Sequence, residues 1–306
     1  MKNGLTEKLL SYKAEDGLPL ISVLTDEKMC AHTTFKIGGP ADLFIIPGTE
    51  DALHFAVSAL KEADVRTFIL GKGSNVLFAD EGFRGAVVST AALDEVTVDG
   101  TSVRAECGAS LTSAARLAAR HSLTGLEFAF GIPGSVGGAV YMNAGAYGGE
   151  MASVVVRTRA IDPVTGALRT YEREEHEYGY RESVFRRTGE IILSTELSLS
   201  VGDPDEIEGK MADYLDRRQQ KQPLEFPSAG SVFKRCEGRF TGQMIEEAGL
   251  KGLTVGGAQV SRKHAGFIIN IGGATARDVL ELVDKIKETI FARFGCTLEC
   301  EMICVS

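Results

Sequence analysis

The stretch that most constrains this 306-residue chain is GIPGSVGGAVYMNAGAYGGEM, residues 131–151. Seven of the chain's 35 glycines fall in its first 19 residues, and no charge occurs before Glu150. Glycine reaches positive φ and has no Cβ, so successive N–H groups can converge on one ligand. Loops of this kind hold phosphate through backbone dipoles, without a cationic side chain. A second such loop, GKGSN at residues 71–75, follows the predicted strand RTFIL. Either loop alone is as readily a tight turn with close backbone packing. Neither completes a common nucleotide motif. GKGSNV lacks the third glycine of G-x-G-x-x-G, and no G-x-x-x-x-G-K-[ST] occurs, so neither a Rossmann domain nor a P-loop is supported.

Composition narrows the class. The chain is 44% hydrophobic and 25% charged, which suits a globular protein of two or three packed units. No apolar run approaches the ~20 residues that span a bilayer. The N-terminus MKNGLTEKLLSYKAEDG is charged throughout and does not read as a secretory signal. The net charge of -9 argues against nucleic acid or an anionic membrane as partner. Cys30, Cys107, Cys236, Cys296, Cys300 and Cys304 are scattered, so reduced thiols in a cytoplasm are expected. Cys296, Cys300 and Cys304 share a face whether on strand or helix. On the predicted terminal strand they span eight residues at ~3.3 Å each, too far for one ion, so no metal site is expected.

Strands and helices alternate over the first 120 residues with short connections. Thr49 is a candidate cap for a helix with Leu53, Ala56, Val57 and Leu60 on one face. A hairpin is predicted around Asp99-Gly100, and Ser110 can cap a helix through LTSAARLAARHS. After the glycine-rich run come a second hairpin, VVVRTRAIDPVTGALRTY, and the strand EIILSTELSLS. Asp203-Pro204 opens a charged helix with Ile207, Met211, Tyr214 and Leu215 on one face. That helix and KQPLEFPSAGS behind it mark a boundary. The remainder reads as a compact α/β unit with a long helix over residues 274–294, striped by Val279, Val283, Ile286 and Ile290. TLECEMICV closes the chain as a strand.

Several motifs carry a resemblance. TTFKIGGPADLFIIP, GKGSNVLFAD and GLEFAFGIPGSVGGAVYMNAGAYG look like the FAD-binding domain of vanillyl-alcohol-oxidase-type flavoproteins. YGYRESVFR, KQPLEFPSAGSVFKR, GLKGLTVGGAQVSRKHAGFIIN and the terminal LECEM narrow this further. Together, in this order and from about Thr33 onward, they resemble the UDP-N-acetylenolpyruvoylglucosamine reductase (UDP-N-acetylmuramate dehydrogenase) family. These are NADPH-dependent flavoenzymes of peptidoglycan precursor synthesis.

The resemblance implies an α+β fold: a two-part FAD-binding domain at residues 1–200, split near 90, then a smaller α/β substrate-binding domain at 201–306. It implies non-covalent FAD held by Gly71, Lys72, Gly73, Ser74, Asn75, Gly131, Ile132, Pro133, Gly134, Ser135, Gly137, Gly138, Asn143, Gly145 and Ala146. The glycine-rich run would cradle the diphosphate and pack against the flavin. NADPH and a sugar nucleotide are the implied small-molecule partners, for a monomer or weak oligomer. A hydride reaches the methylene carbon of an enolpyruvyl ether, charge builds on the neighbouring carboxylate, and a proton completes a lactyl group. Arg181 matches the family's arginine, whose fork suits a carboxylate; taken alone, it is as readily a surface partner of Glu182. Ser231 matches the proton donor, although a serine after glycine is commonly a turn residue. Glu301 matches the family's glutamate, expected to share a strand face with Glu299, Ile303 and Val305, and either orients substrate or serves in proton transfer. Lys221, Lys263 and His264 are candidate cations for the substrate's diphosphate; Lys234 is as readily a solvated lysine. The family has a longer form with an inserted tyrosine loop. Only 49 residues separate Arg181 from Ser231 and Gly266 follows VSRKHA, so this chain resembles the shorter form. A related FAD oxidase or dehydrogenase using another electron acceptor is the alternative, as is a non-enzymatic FAD-binding protein. Covalent flavin attachment in such oxidases uses His or Cys, and neither glycine loop contains one.

Overall fold

The computed structural model of the chain describes residues 2–236 and 239–306. Helices and strands intermix as an α+β fold. Two compact units emerge, one formed by residues up to 25, 43–72 and 85–216, the other by 26–42, 73–84 and 217–306. The expected division at 200/201 is linear, whereas these units interleave along the chain. The physical reason lies in the apolar side chains of the two early excursions. Phe35, Ile37 and Leu77 are buried in the same core as Ile268, Val279 and Ile286.

In the first unit, Thr49 caps the helix Glu50–Glu62 by accepting the Ala52 N–H at 3.0 Å. Leu53, Ala56, Val57 and Leu60 are buried, as their spacing predicts. The hairpin at Asp99-Gly100 forms between Val96–Asp99 and Ser102–Glu106, with Gly100 at φ 56°. It lies at the edge of a five-stranded sheet ordered Leu168–Glu172, Val155–Ile161, Ile191–Ser198, Ser102–Glu106, Val96–Asp99. All its neighbours are antiparallel. Ser110 caps the helix Leu111–Arg120.

In the second unit, the strands Ser228–Ser231, Phe267–Asn270, Ala258–Val260 and Thr254–Val255 form an antiparallel sheet. The helix Ala276–Phe294 starts in a capping box between Thr275 and Asp278. The Asp80 carboxylate accepts two more of its open N–H groups, from Ala276 at 2.7 Å and Arg277 at 3.0 Å. Val279, Val283, Ile286 and Ile290 are all buried. The strand predicted over TLECEMICV is broken. Lys234 N–H donates to Glu299 O at 2.9 Å, Glu301 N–H donates to Val232 O at 2.8 Å, and Cys300 bridges Phe233. Ile303–Val305 then runs parallel to Val76–Phe78. The change of partner at Glu301 and Met302 interrupts the period of two. Residues 297–305 therefore do not form the single alternating strand on which Glu299, Glu301, Ile303, Val305 and the three terminal cysteines were expected.

Cys296 is instead disulfide-bonded to Cys236. Reduced thiols throughout were the expectation, and this pair departs from it. Cys30, Cys107, Cys300 and Cys304 are free thiols. Among the described residues no helix is long and apolar enough to cross a membrane.

His176 is fully buried in the first unit. Its Nδ1 lies 2.8 Å from Glu172 O and its Nε2 2.8 Å from Thr158 Oγ1. The carbonyl must accept, so Nδ1 carries the proton and Nε2 accepts from the hydroxyl. Burial holds its pKa below the ordinary 6.5. The unfolded chain then binds more protons than the folded one at mildly acid pH. His176's contribution to stability is whole above about pH 6.5 and is lost as the pH falls below it. Melting midpoints between pH 7.5 and 5 are expected to fall more steeply for wild type than for His176→Gln; identical slopes would contradict this.

Candidate active site

The strand Thr67–Leu70 delivers the chain into GKGSN. A Cβ on Gly71 would lie 2.4 Å from Ser135 Oγ, so the two glycine runs meet here and a side chain would push the serine hydroxyl aside. Ser135 caps the short helix Val136–Tyr141 by accepting the Gly138 N–H at 3.2 Å. Gly137 presses on Cys107, donating its N–H to Cys107 O at 2.8 Å. Gly131 donates to Thr112 Oγ1, Ile132 to Ala129 O, Gly134 to Ile132 O and Val136 to Ala109 O. The amides of this run, around Pro133, are thus largely committed inside the fold. Downstream, Gly145–Ala146 and Gly149–Glu150 form a small hairpin whose two-residue tip, Tyr147-Gly148, has positive φ at both positions.

GKGSN behaves in the opposite way. Among the described residues, the N–H groups of Gly73, Ser74 and Asn75 have no hydrogen-bond partner. Gly73 has φ +63°, and a Cβ there would lie 2.2 Å from His32 O. Three consecutive open amides in a glycine loop that also carries Lys72 fit a diphosphate. The residues present therefore fit FAD. Lys72 beside them is exposed.

Arg181 sits in a two-residue turn closed by Gly179 N–H to Glu182 O at 3.0 Å and Glu182 N–H to Gly179 O at 3.3 Å. Its φ is 57°, a conformation that costs a residue with a Cβ roughly 1–2 kcal/mol. Such strain persists only where neighbours over-determine it. The guanidinium donates to Asn143 O at 3.3 Å and Gly145 O at 3.2 Å and lies 5.2 Å from the centroid of the Tyr180 ring. The Asn143 side chain, expected at the cofactor, is committed within the protein. Its Nδ2 donates to Gly179 O at 2.9 Å and its Oδ1 accepts the Ala152 N–H at 3.0 Å.

In the other unit, Ser231 ends the strand Ser228–Ser231, and the next N–H, of Val232, donates to Gly266 O at 3.0 Å. Ser231 is exposed, and its hydroxyl has no hydrogen-bond partner among the described residues. A Cβ on Gly266 would lie 3.4 Å from Ser231 Oγ and 3.0 Å from His264 Cε1, so glycine keeps both side chains clear. Glu301 is half-buried. Its N–H is tied to Val232 O, and its carbonyl accepts from Asn75 Nδ2 at 3.2 Å. Asn75 O in turn accepts the Ile303 N–H at 3.0 Å. Expected as a cofactor residue, Asn75 spends its side chain on holding the glutamate's backbone. No local pattern signals that link, because the two residues are 226 positions apart.

The candidate cations separate. His264 Nδ1 accepts the Gly266 N–H at 3.1 Å, and burial pushes its pKa below 6.5. The ring is therefore neutral with its proton on Nε2. It offers a hydrogen-bond donor, not the charge expected of it. Lys263 Nζ donates to Gln219 O at 2.7 Å, with Glu225 at 3.7 Å. Lys221 ends the helix Pro204–Lys221 and is exposed. Lys234 pairs with Glu299 at 3.2 Å. Ser231, Glu301, His264, Lys263, Lys221 and Asn75 thus belong to one unit, and Arg181, Asn143 and Gly145 to the other. Among the described residues no three His, Cys, Asp or Glu side chains group as a metal site.

Known proteins match in the same order. A family model described as "FAD binding domain" matches residues 41–171, and one described as "UDP-N-acetylenolpyruvoylglucosamine reductase, C-terminal domain" matches residues 222–305. The UDP-N-acetylenolpyruvoylglucosamine reductase of Alkaliphilus oremlandii is 48% identical over 97% of this chain and 98% of its own length. That of Clostridium novyi is 45% identical over 96% of this chain and 95% of its own. Among solved structures, the UDP-N-acetylenolpyruvylglucosamine reductase of Thermus caldophilus superposes with a TM-score of 0.79 at 34% identity, covering 94% of this chain and 99% of that one. The expected fold class, an FAD-binding domain followed by a smaller α/β domain, holds. The chain belongs to the UDP-N-acetylenolpyruvoylglucosamine reductase family.

Proposed function

We propose that this chain reduces the enolpyruvyl group of UDP-N-acetylglucosamine enolpyruvate to a lactyl ether, giving UDP-N-acetylmuramate. NADPH is the hydride donor and FAD the carrier, in the cytoplasmic supply of peptidoglycan precursors. The observation that carries this reading is an exposed serine hydroxyl and a half-buried glutamate set on the two segments that pair at residues 232–234 and 299–301. We read residues 1–200 as serving FAD, with Arg181 reaching the substrate from them, and 201–306 as serving the sugar nucleotide.

FAD, held at Gly73, Ser74 and Asn75, would supply the hydride-carrying chemistry between NADPH and the methylene carbon of the enolpyruvyl group. As that carbon becomes a methyl group, negative charge builds on the adjacent carboxylate. Arg181 neutralises it: a fixed guanidinium fork gains most where charge develops, since its orientation is already set. A proton must then reach the carbon bearing the ether oxygen. Ser231 Oγ donates it; a hydroxyl is a weak acid in water, but it serves a strongly basic carbon when held close. Glu301 steadies the substrate or the relay that returns a proton to the serine. Lys221 and Lys263 supply charge to the diphosphate, and His264 supplies an N–H through Nε2. The open amides of Gly73, Ser74 and Asn75 hold the cofactor's diphosphate.

The purified protein is expected to be yellow, and acid precipitation to release free FAD into the supernatant. Flavin remaining with the pellet would point to covalent attachment and the oxidase alternative.

Ser231→Ala should separate the two halves of the reaction. NADPH should bleach the flavin at a rate near that of wild type, because no protein proton donor at the substrate is needed there. Reoxidation by the enolpyruvyl substrate should slow by ~10²–10⁴, the usual worth of a positioned general acid. Anaerobic stopped-flow absorbance reads both. An unchanged second half would remove Ser231 from the mechanism; equal slowing of both would indicate damage to the flavin site.

Arg181→Lys keeps the charge and loses the fork. Turnover is expected to fall by at least ~10-fold, a single lost charge-assisted contact being worth about 1.5–3 kcal/mol. Steady-state NADPH consumption near the wild-type rate would contradict the grip assigned to Arg181.

A further inference from the structure

Asn143 is buried and left-handed, with φ +44°. It follows the helix Val136–Tyr141, whose end it closes: Asn143 N–H donates to Val140 O at 3.3 Å and Ala144 N–H to Ala139 O at 2.8 Å. Asparagine tolerates this conformation better than most residues with a Cβ. The conformation leaves the Asn143 carbonyl accepting from Arg181 Nη1 at 3.3 Å, next to Gly145 O, which accepts from Nη2 at 3.2 Å. The side chain reaches the other end of the same residue's support. Nδ2 donates to Gly179 O at 2.9 Å, in the turn that carries Arg181, and Oδ1 is anchored by the Ala152 N–H at 3.0 Å. Arg186 Nη1 adds a bond to Arg181 O at 3.2 Å.

We infer that Asn143 is a positioning residue for Arg181, fixing both the turn from which the arginine springs and the head with which it meets the substrate carboxylate. This rests on the role proposed above for Arg181. An arginine has four flexible side-chain torsions, so a charge alone does not fix where the fork points. Holding the turn through Nδ2 and the head through the backbone carbonyl, from one residue, keeps the two in register. The left-handed strain at Arg181 is consistent with this, since it requires restraint from outside the turn.

The test uses holoenzyme, NADPH and UDP-N-acetylglucosamine enolpyruvate in anaerobic stopped flow. Asn143→Gly keeps the left-handed backbone and removes both side-chain bonds. Asn143→Asp keeps the shape and the acceptor for Ala152 but has no donor for Gly179. Both should bleach with NADPH at rates within about twofold of wild type. Both should reoxidise at saturating substrate about 10- to 100-fold more slowly, the cost of misplacing a reacting group by about an ångström. In an Arg181→Ala background the same Asn143→Gly change should alter reoxidation by less than about twofold, because nothing remains to be positioned. Three results would overturn the inference: equal slowing of both halves, wild-type behaviour of Asn143→Asp, or effects that multiply in the double variant. A normal reoxidation rate in Arg181→Ala alone would instead overturn the role of Arg181, and this inference with it.

Discussion

The antiparallel contact between residues 232–234 and 299–301 decides where two of the three side chains proposed for catalysis go. Ser231 directly precedes the first segment, and Glu301 ends the second. Each backbone bond in the contact is worth only about 0.5–1.5 kcal/mol net, but the positions follow from backbone geometry and not from flexible side chains. Sites carried on paired backbone are held more closely than sites on free loops. The disulfide Cys236–Cys296 ties the chain just beyond one segment to the chain just before the other. Asn75 then secures the far side of Glu301, where the terminal segment leaves one partner strand for another.

The glycines divide into two kinds with different physical reasons. At Gly137 a side chain would collide with the backbone of Cys107, so glycine is a packing requirement there, and at Gly71 it would displace the Ser135 hydroxyl. At Gly73 the backbone is left-handed and pressed on His32, and the amides that follow are open. A charge-free run can look like a ligand cradle for either reason. The distinction depends on where each N–H points, which composition does not encode. The run at residues 131–151 that dominates the sequence has most of its early amides spent on its own fold.

Much of the architecture was legible because it is local. The Thr49 and Ser110 caps, the turn at Asp99-Gly100 and the apolar stripe Val279, Val283, Ile286 and Ile290 all act within a few residues, and all formed as read. What was not legible depends on distant contacts. The terminal strand broke because its two halves have different partners, Val232–Lys234 and Val76–Phe78, both far away in sequence. The interleaving of the units follows from Phe35, Ile37 and Leu77 choosing a core built mainly by the C-terminal part. His264 reads as a cation within SRKHA, yet a backbone amide on Nδ1 and burial keep it neutral. Asn143 and Asn75 sit inside motifs of the FAD-binding part, and only the three-dimensional contacts show their side chains holding Gly179 and Glu301.

The most direct test follows the atoms through one turnover. Wild-type holoprotein, reduced with one equivalent of NADPH without oxygen, is mixed in deuterated water with UDP-N-acetylglucosamine enolpyruvate, and product is examined by NMR as the flavin absorbance is followed. The account predicts full return of the oxidised flavin spectrum and one equivalent of lactyl ether, with deuterium on the carbon bearing the ether oxygen. Flavin that stays bleached until oxygen is admitted, with the enolpyruvyl group recovered intact, would contradict it.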